Sequence, residues 1–222
     1  MRKYIQEKVS NTTRHFKFGG CYVEERDEAP SHINLPAIFK AIEGSLPSHY
    51  FKNLNGVVIE HLPEFDERGV NAVYRDNTFY ITNNQSDADD LMNDILHEFA
   101  HHLETHYPQM IYGDEKLIKE FKRKREQLKF EIMSEGYWID EYDFQNLKFD
   151  QKFDDFLYKR LGKNMLKMVT AGMFIRPYAA VSLREYFATG FEAYYLGQRE
   201  FLKTNCPALY NKIEELHNYK SY

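Results

Sequence analysis

Two histidines four residues apart constrain this chain more than any other feature. They stand in ILHEFAHHLE, residues 95–104, as His97 and His101, with Glu98 directly after the first. At 3.6 residues per turn, positions i and i+4 lie on one helix face, one turn apart. The pair can therefore act jointly only if this stretch is helical, and its surroundings agree. Leu91, Ile95, Phe99 and Leu103 give the stretch an apolar side. NNQSDADD, just upstream, supplies N-cap candidates and acids suited to a helix N-terminus, and Pro108 ends the pattern. The spacing predicts a helix from Asp87 to His106.

That helix follows strand signals. GVVIEHL reads as a buried strand beginning after Gly56. NAVYRDNTFYIT has β-favouring residues on both sides of Asp76-Asn77, which predicts a hairpin, Asn71–Arg75 and Thr78–Thr82, with a tight turn. LPAIFKAIEGSLP reads as a short helix bounded by Pro36 and Pro47, and the rest of the first 56 residues is mixed. There are no repeats.

A length of 222 residues suits one compact domain or one domain with two lobes, and 43% hydrophobic with 16% aromatic content suits a globular protein. A net charge of -5 makes no whole-molecule case for nucleic acid or an anionic membrane. No apolar run approaches the roughly 18 residues that span a bilayer. MRKYIQEKVSNTTRHFKF is positively charged without an apolar core after it, so no secretory signal is expected in this chain. Cys21 and Cys206 are too few for a disulfide scaffold and read as free thiols in a reducing, cytoplasmic compartment. Export of a processed or phage-encoded form stays open.

The chemistry comes from the histidine pair. His97 and His101 can bind one zinc ion through their imidazoles. Glu98, about 100° further round the helix, is poorly placed as a ligand but can reach a water on the metal and take its proton. That is the mechanical content of H-E-x-x-H in zinc peptidases. A tetrahedral site needs a third protein ligand and an open position. His102 points elsewhere and His106 is too far along the helix, so the third ligand is expected to be a carboxylate from a second helix.

The candidate is SLREYFATGFEAYYLG, Ser182 to Gly197. With the H-E-x-x-H helix, this segment resembles the anthrax lethal factor peptidase domain and the Pro-Pro endopeptidases. Those proteins carry an E-F-F-A-E-x-F helix whose first glutamate is a zinc ligand. Glu185 to Phe191 match it except at Tyr186 and Thr189. The family also has a tyrosine seven positions before the ligand that helps stabilise the transition state, and Tyr178 stands seven before Glu185. The tail, AYYLGQREFLKTNCPALYNKIEEL, continues the likeness through Cys206-Pro207. The likeness is strong over residues 78–106 and 176–216 and weak elsewhere.

The resemblance implies an α+β, zincin-like metallopeptidase domain of the gluzincin kind, helix-rich with a small sheet. His97, His101 and Glu185 would hold one Zn2+, Glu98 would be the general base and Tyr178 would support the oxyanion. The substrate would be an extended protein or peptide, proline-containing by analogy, with no nucleic acid or membrane partner. Two departures stand out. Thr189 replaces an acid that in the family orients a zinc histidine, a task open to the Thr189 hydroxyl, Glu192 or Glu104. Residues 107–177 form an insertion between the zinc helices. Within it GDEKLIKEFKRKREQLKFEIM reads as an amphipathic basic helix, packing through Leu117, Phe121, Leu128 and Ile132 with its charges on a solvated face. FDQKFDDFLYKRLG reads as a second short helix. These inserted helices are also where a protein partner would dock. Three other readings stay open: a zinc-bound pseudoenzyme acting by interaction, a toxin or phage effector with the same chemistry, and a structural protein with a fortuitous motif.

Overall fold

The computed structural model describes residues 14–220, so MRKYIQEKVSNTT, on which most of the leader reading falls, lies outside the described residues. The fold is mixed α+β with a small five-stranded sheet. The chain divides into two compact units, Met1–Glu98 and Phe99–Tyr222.

The first unit holds the sheet, in the order β1-β2-β3-β5-β4. β1 (Arg14–Phe18) and β2 (Cys21–Glu25) form a hairpin across Gly19-Gly20. Both glycines have positive φ, 57° and 98°, as a two-residue hairpin turn of this kind demands. Gly19 has a second reason to lack a side chain, because a Cβ there would lie 1.8 Å from Phe51 Cδ1. α1 (Leu35–Ser45), capped by Asn34, leads through a 3-10 turn at Ser48–Phe51 into β3 (Gly56–Ile59), parallel to β2. α2 (Pro63–Arg68) and β4 (Ala72–Arg75) precede β5 (Thr78–Ile81). β5 is parallel to β3 and antiparallel to β4. Asp76 and Asn77 turn the β4–β5 hairpin with φ of 51° and 59°, where the sequence placed it. β3 lies at the centre, and its unbroken apolar run Val57-Val58-Ile59 is buried. Phe18 meets Phe39 and Phe51 edge-on, with ring centroids at 4.8 and 5.1 Å.

α3 (Ala88–His106) begins in the first unit and ends in the second. Asp87 caps it, its Oδ1 accepting the amides of Asp89 and Asp90 at 2.9 Å each. Leu91, Ile95, Phe99 and Leu103 are all fully buried, as the periodicity predicts.

The second unit is helical: α4 (Pro108–Tyr112), α5 (Lys116–Ser134), α6 (Gln151–Asp155), α7 (Lys163–Thr170), α8 (Leu183–Tyr195), α9 (Arg199–Asn205) and α10 (Pro207–His217). α6 runs into a wider π-type turn at Phe156–Leu161, and a 3-10 turn at Pro177–Ala180 leads into α8. Every residue from Tyr186 to Tyr194 is buried, the pattern of a helix with neighbours on all sides. α5, α9, α10 and the 3-10 turn supply those neighbours.

α5 corrects one expectation. Its apolar residues Leu117, Phe121, Leu128 and Ile132 are buried as predicted, but so are Glu120, Lys124 and Arg125. These charges tie other elements down. Glu120 accepts the amides of Ala208 and Leu209 at 2.8 and 3.0 Å, capping the N-terminus of α10, where negative charge is favoured. Lys124 Nζ donates to the Asn205 carbonyl at the end of α9, at 2.6 Å, and to that of Met173. A period-based reading assigns every charged residue to water. It has no signal for charges that helix ends in the tertiary structure can pair.

Candidate metal centre

α3 and α8 carry the three expected ligands. One turn of α3 sets His97 and His101 on the same face, and α8 brings in Glu185 near its N-terminus. One donor atom from each of the three lies within 4.8 Å of the others, and His101 Nε2 is 3.9 Å from Glu185 Oε1. Two imidazoles and a carboxylate match the donor set of zinc sites, whose bonds are about 2.0–2.2 Å. The residues present therefore fit a metal ion. Ser182 caps α8, its Oγ accepting the Glu185 amide at 3.2 Å. The Glu185 carboxylate faces the histidine.

Glu98 is 4% exposed, buried on α3 beside His97. His102 is also buried and meets His106 ring to ring at 4.5 Å, in keeping with a packing role for both. Two more acids flank the motif symmetrically. Asp94 lies three residues before His97, and Glu104 three after His101. Burial pushes the Asp94 carboxyl up to about 6, and hydrogen bonding from Gln85 and the nearby His97 pull it back down. Gln85 Nε2 donates to Asp94 Oδ2 at 3.0 Å and to the Thr82 carbonyl at 3.2 Å, fixing that carboxyl against the end of the hairpin.

Of the three residues the sequence left open for orienting a zinc histidine, Glu104 is the one in contact with His101. Its Oε2 lies 2.9 Å from His101 Nδ1, and its Oε1 accepts the Tyr112 hydroxyl. Burial, then the Glu104 charge, pushes the Tyr112 phenol well above its usual range, so it remains a donor. The Thr189 hydroxyl is seen instead donating to the Glu185 carbonyl one turn back, at 2.7 Å. Glu192, fully buried, is paired with Arg176. Arg184, whose Nε lies 2.9 Å from His101 Nδ1, was missed in the sequence, as were Tyr112 and Asp94. For Asp94 and Glu104 the available signal was their i±3 spacing from the two histidines, which puts them on neighbouring turns.

Tyr178 is half-buried on the 3-10 turn that packs against α8. That turn is held at both ends. Arg176, just before it, pairs with Glu192 of α8. After it, Arg125 NH1 donates to the carbonyls of Ala180 at 2.7 Å and Val181 at 3.2 Å. Arg125 is 1% exposed, and its guanidinium lies 3.8 Å over the Phe153 ring. Burial pushes its pKa down to about 10, which still leaves it charged at neutral pH. Cys21 and Cys206 are free and buried, and burial raises both thiols.

No protein-family model, curated protein or solved structure matches this chain. The fold and the donor set define an α+β protein with a two-histidine, one-glutamate cluster at metal-binding spacing.

Proposed function

We propose that this chain is a zinc-dependent endopeptidase of the zincin-like, gluzincin kind. The observation that carries this reading is the convergence of His97, His101 and Glu185, predicted from two separate stretches of sequence, to within metal-binding distance. The likeness to lethal factor and the Pro-Pro endopeptidases supports it. Zinc held by these three residues supplies a Lewis acid and lowers the pKa of a bound water to about 7.

The protein's own residues do the rest. Glu98 takes the proton of the attacking water and later delivers it to the leaving amine. The Tyr178 phenol donates a hydrogen bond to the carbonyl oxygen as negative charge develops there. β4 is an outer strand, and among the described residues no strand pairs with its far side. In the antiparallel ladder with β5, alternate residues of β4 direct their backbone groups outward, which suits pairing with an extended peptide.

Metal analysis and cleavage of a peptide library test the reading together. Wild type is expected to hold about one zinc and to cleave. His101→Ala loses the metal. Glu98→Gln keeps the metal and the fold but loses hydrolysis, because Glu98 is not a ligand. Zinc without cleavage by wild type would move the protein to the interaction reading. Hydrolysis by Glu98→Gln at the wild-type rate would remove Glu98 from the mechanism.

A further inference from the structure

The His101 ring is contacted at one nitrogen by two groups with opposite demands. Nδ1 lies 2.9 Å from Glu104 Oε2 and 2.9 Å from Arg184 Nε. A neutral imidazole carries its hydrogen on one nitrogen and accepts at the other. The guanidinium only donates, so the Arg184 contact requires a bare Nδ1 and places the hydrogen on Nε2. The carboxylate only accepts, so the Glu104 contact requires Nδ1–H and leaves Nε2 bare. Nε2 is the atom that faces Glu185 at 3.9 Å. One tautomer therefore presents a lone pair to the ligand cluster and the other presents a hydrogen, which blocks it.

We propose that Glu104 and Arg184 form a tautomer switch on His101, with Arg184 holding the ring in a form that cannot bind metal and Glu104 holding it in the form that can. The inference rests on the metal reading above and makes Glu104 and Arg184 positioning residues. The geometry lets the exchange proceed without stranding either partner. Arg184 Nε is already 3.5 Å from the same Glu104 oxygen, and the Arg184 side chain is 55% exposed against 12% for Glu104. When the ring hydrogen moves to Nδ1, the guanidinium shifts by less than a side-chain length onto the carboxylate. Glu104 itself stays in place, because Tyr112 holds its other oxygen. The switch couples metal uptake to a change in hydrogen bonding outside the ligand set, as carboxylates behind metal-binding histidines do.

The test uses full-length protein labelled with 15N-histidine, with the His101 signals assigned by comparison with His101→Asn. In metal-free wild type, the His101 ring shifts are expected to report hydrogen on Nε2, moving to Nδ1 when zinc is added. Arg184→Met shifts the metal-free ring toward Nδ1–H and binds zinc at least as tightly as wild type in competition with a chelator. Glu104→Ala weakens zinc by about 10–100-fold. Glu104→Gln, whose carbonyl still accepts Nδ1–H, lies between Glu104→Ala and wild type and guards against a folding defect. Zinc binding by Glu104→Ala as tight as wild type overturns the switch, and so does a metal-free wild-type ring with hydrogen on Nδ1 or on both nitrogens. A wild type that binds no zinc overturns the functional reading itself, and the switch with it.

Discussion

Tyr178 shows how much a single hydroxyl can depend on its backbone. The residue sits on a four-residue 3-10 turn, which on its own fixes little. Pro177 locks one φ, the Arg176–Glu192 pair anchors the entry, and Arg125 binds the two carbonyls at the exit. The oxyanion donor proposed at Tyr178 would have to be in place before charge develops, and these three restraints order the turn that carries it. Tyr178→Phe is expected to keep its zinc and its fold and to lower kcat by about 10²–10³, or roughly 2.7–4 kcal/mol, with a smaller change in KM. Steady-state kinetics on any peptide that wild type cleaves will check it. A near-normal kcat would remove Tyr178 as the oxyanion donor. Arg176 would be a poor replacement, since its guanidinium is committed to Glu192.

At the scale of elements, α8 is held by close packing on one side and by buried charge on the other. Gly190 lets α8 approach α10 so nearly that a Cβ there would lie 2.2 Å from Leu209 Cδ2. Gly190→Val should cost about 1–3 kcal/mol through overpacking, with only a few tenths recovered from helix propensity. Denaturant unfolding measures it, and an unchanged midpoint would mean the α8–α10 contact can give way. α10 is tied in a second place, where Lys212 binds Asp114 at 2.9 Å. Hydrogen bonding from Lys212 holds the Asp114 carboxyl down at about 2, below its usual value of about 3.9. A depressed acid adds stability above its unfolded pKa and loses it as pH falls through the folded one. Asp114→Asn should therefore destabilise modestly at pH 7, by up to about 1 kcal/mol for a pair with one exposed partner. The gap to wild type should close between about pH 4 and pH 2. A gap independent of pH would point to packing instead of charge.

For the whole molecule, the proposed zinc would link metal binding to stability. A ligand that binds only the folded chain stabilises it by about 2.7 kcal/mol at a concentration a hundredfold above its Kd. Ligands drawn from two helices far apart in sequence exist as a set only in the folded state. Zinc should therefore raise Tm in wild type and in Glu98→Gln, have no effect in His101→Ala, and be reversed by a chelator. Thermal unfolding with and without zinc reads this directly, and equal shifts in His101→Ala and wild type would place the ion elsewhere. Among the described residues, no helix is long and apolar enough to cross a membrane.

Local order was legible in the sequence wherever the cause was local. The span of α3, the β4–β5 turn at Asp76-Asn77, the apolar face of α5 and the pairing of His97 with His101 all follow from period, capping and turn chemistry within a few residues. The Gly19-Gly20 hairpin carried the same kind of signal in a stretch that read only as mixed. The approach of Glu185 to His101 was anticipated through a likeness to known peptidases, and no local rule predicts it. Tertiary structure alone decided the pairings that local rules cannot rank. The Thr189 hydroxyl, Glu192 and Glu104 were all left open to orient a zinc histidine. Packing then gave Thr189 a carbonyl of its own helix, Glu192 the Arg176 guanidinium and Glu104 the histidine. The buried charges of α5 are the same case, since a charge is buried only where the fold brings up a partner, and most of those partners lie some 50 to 90 residues away in sequence.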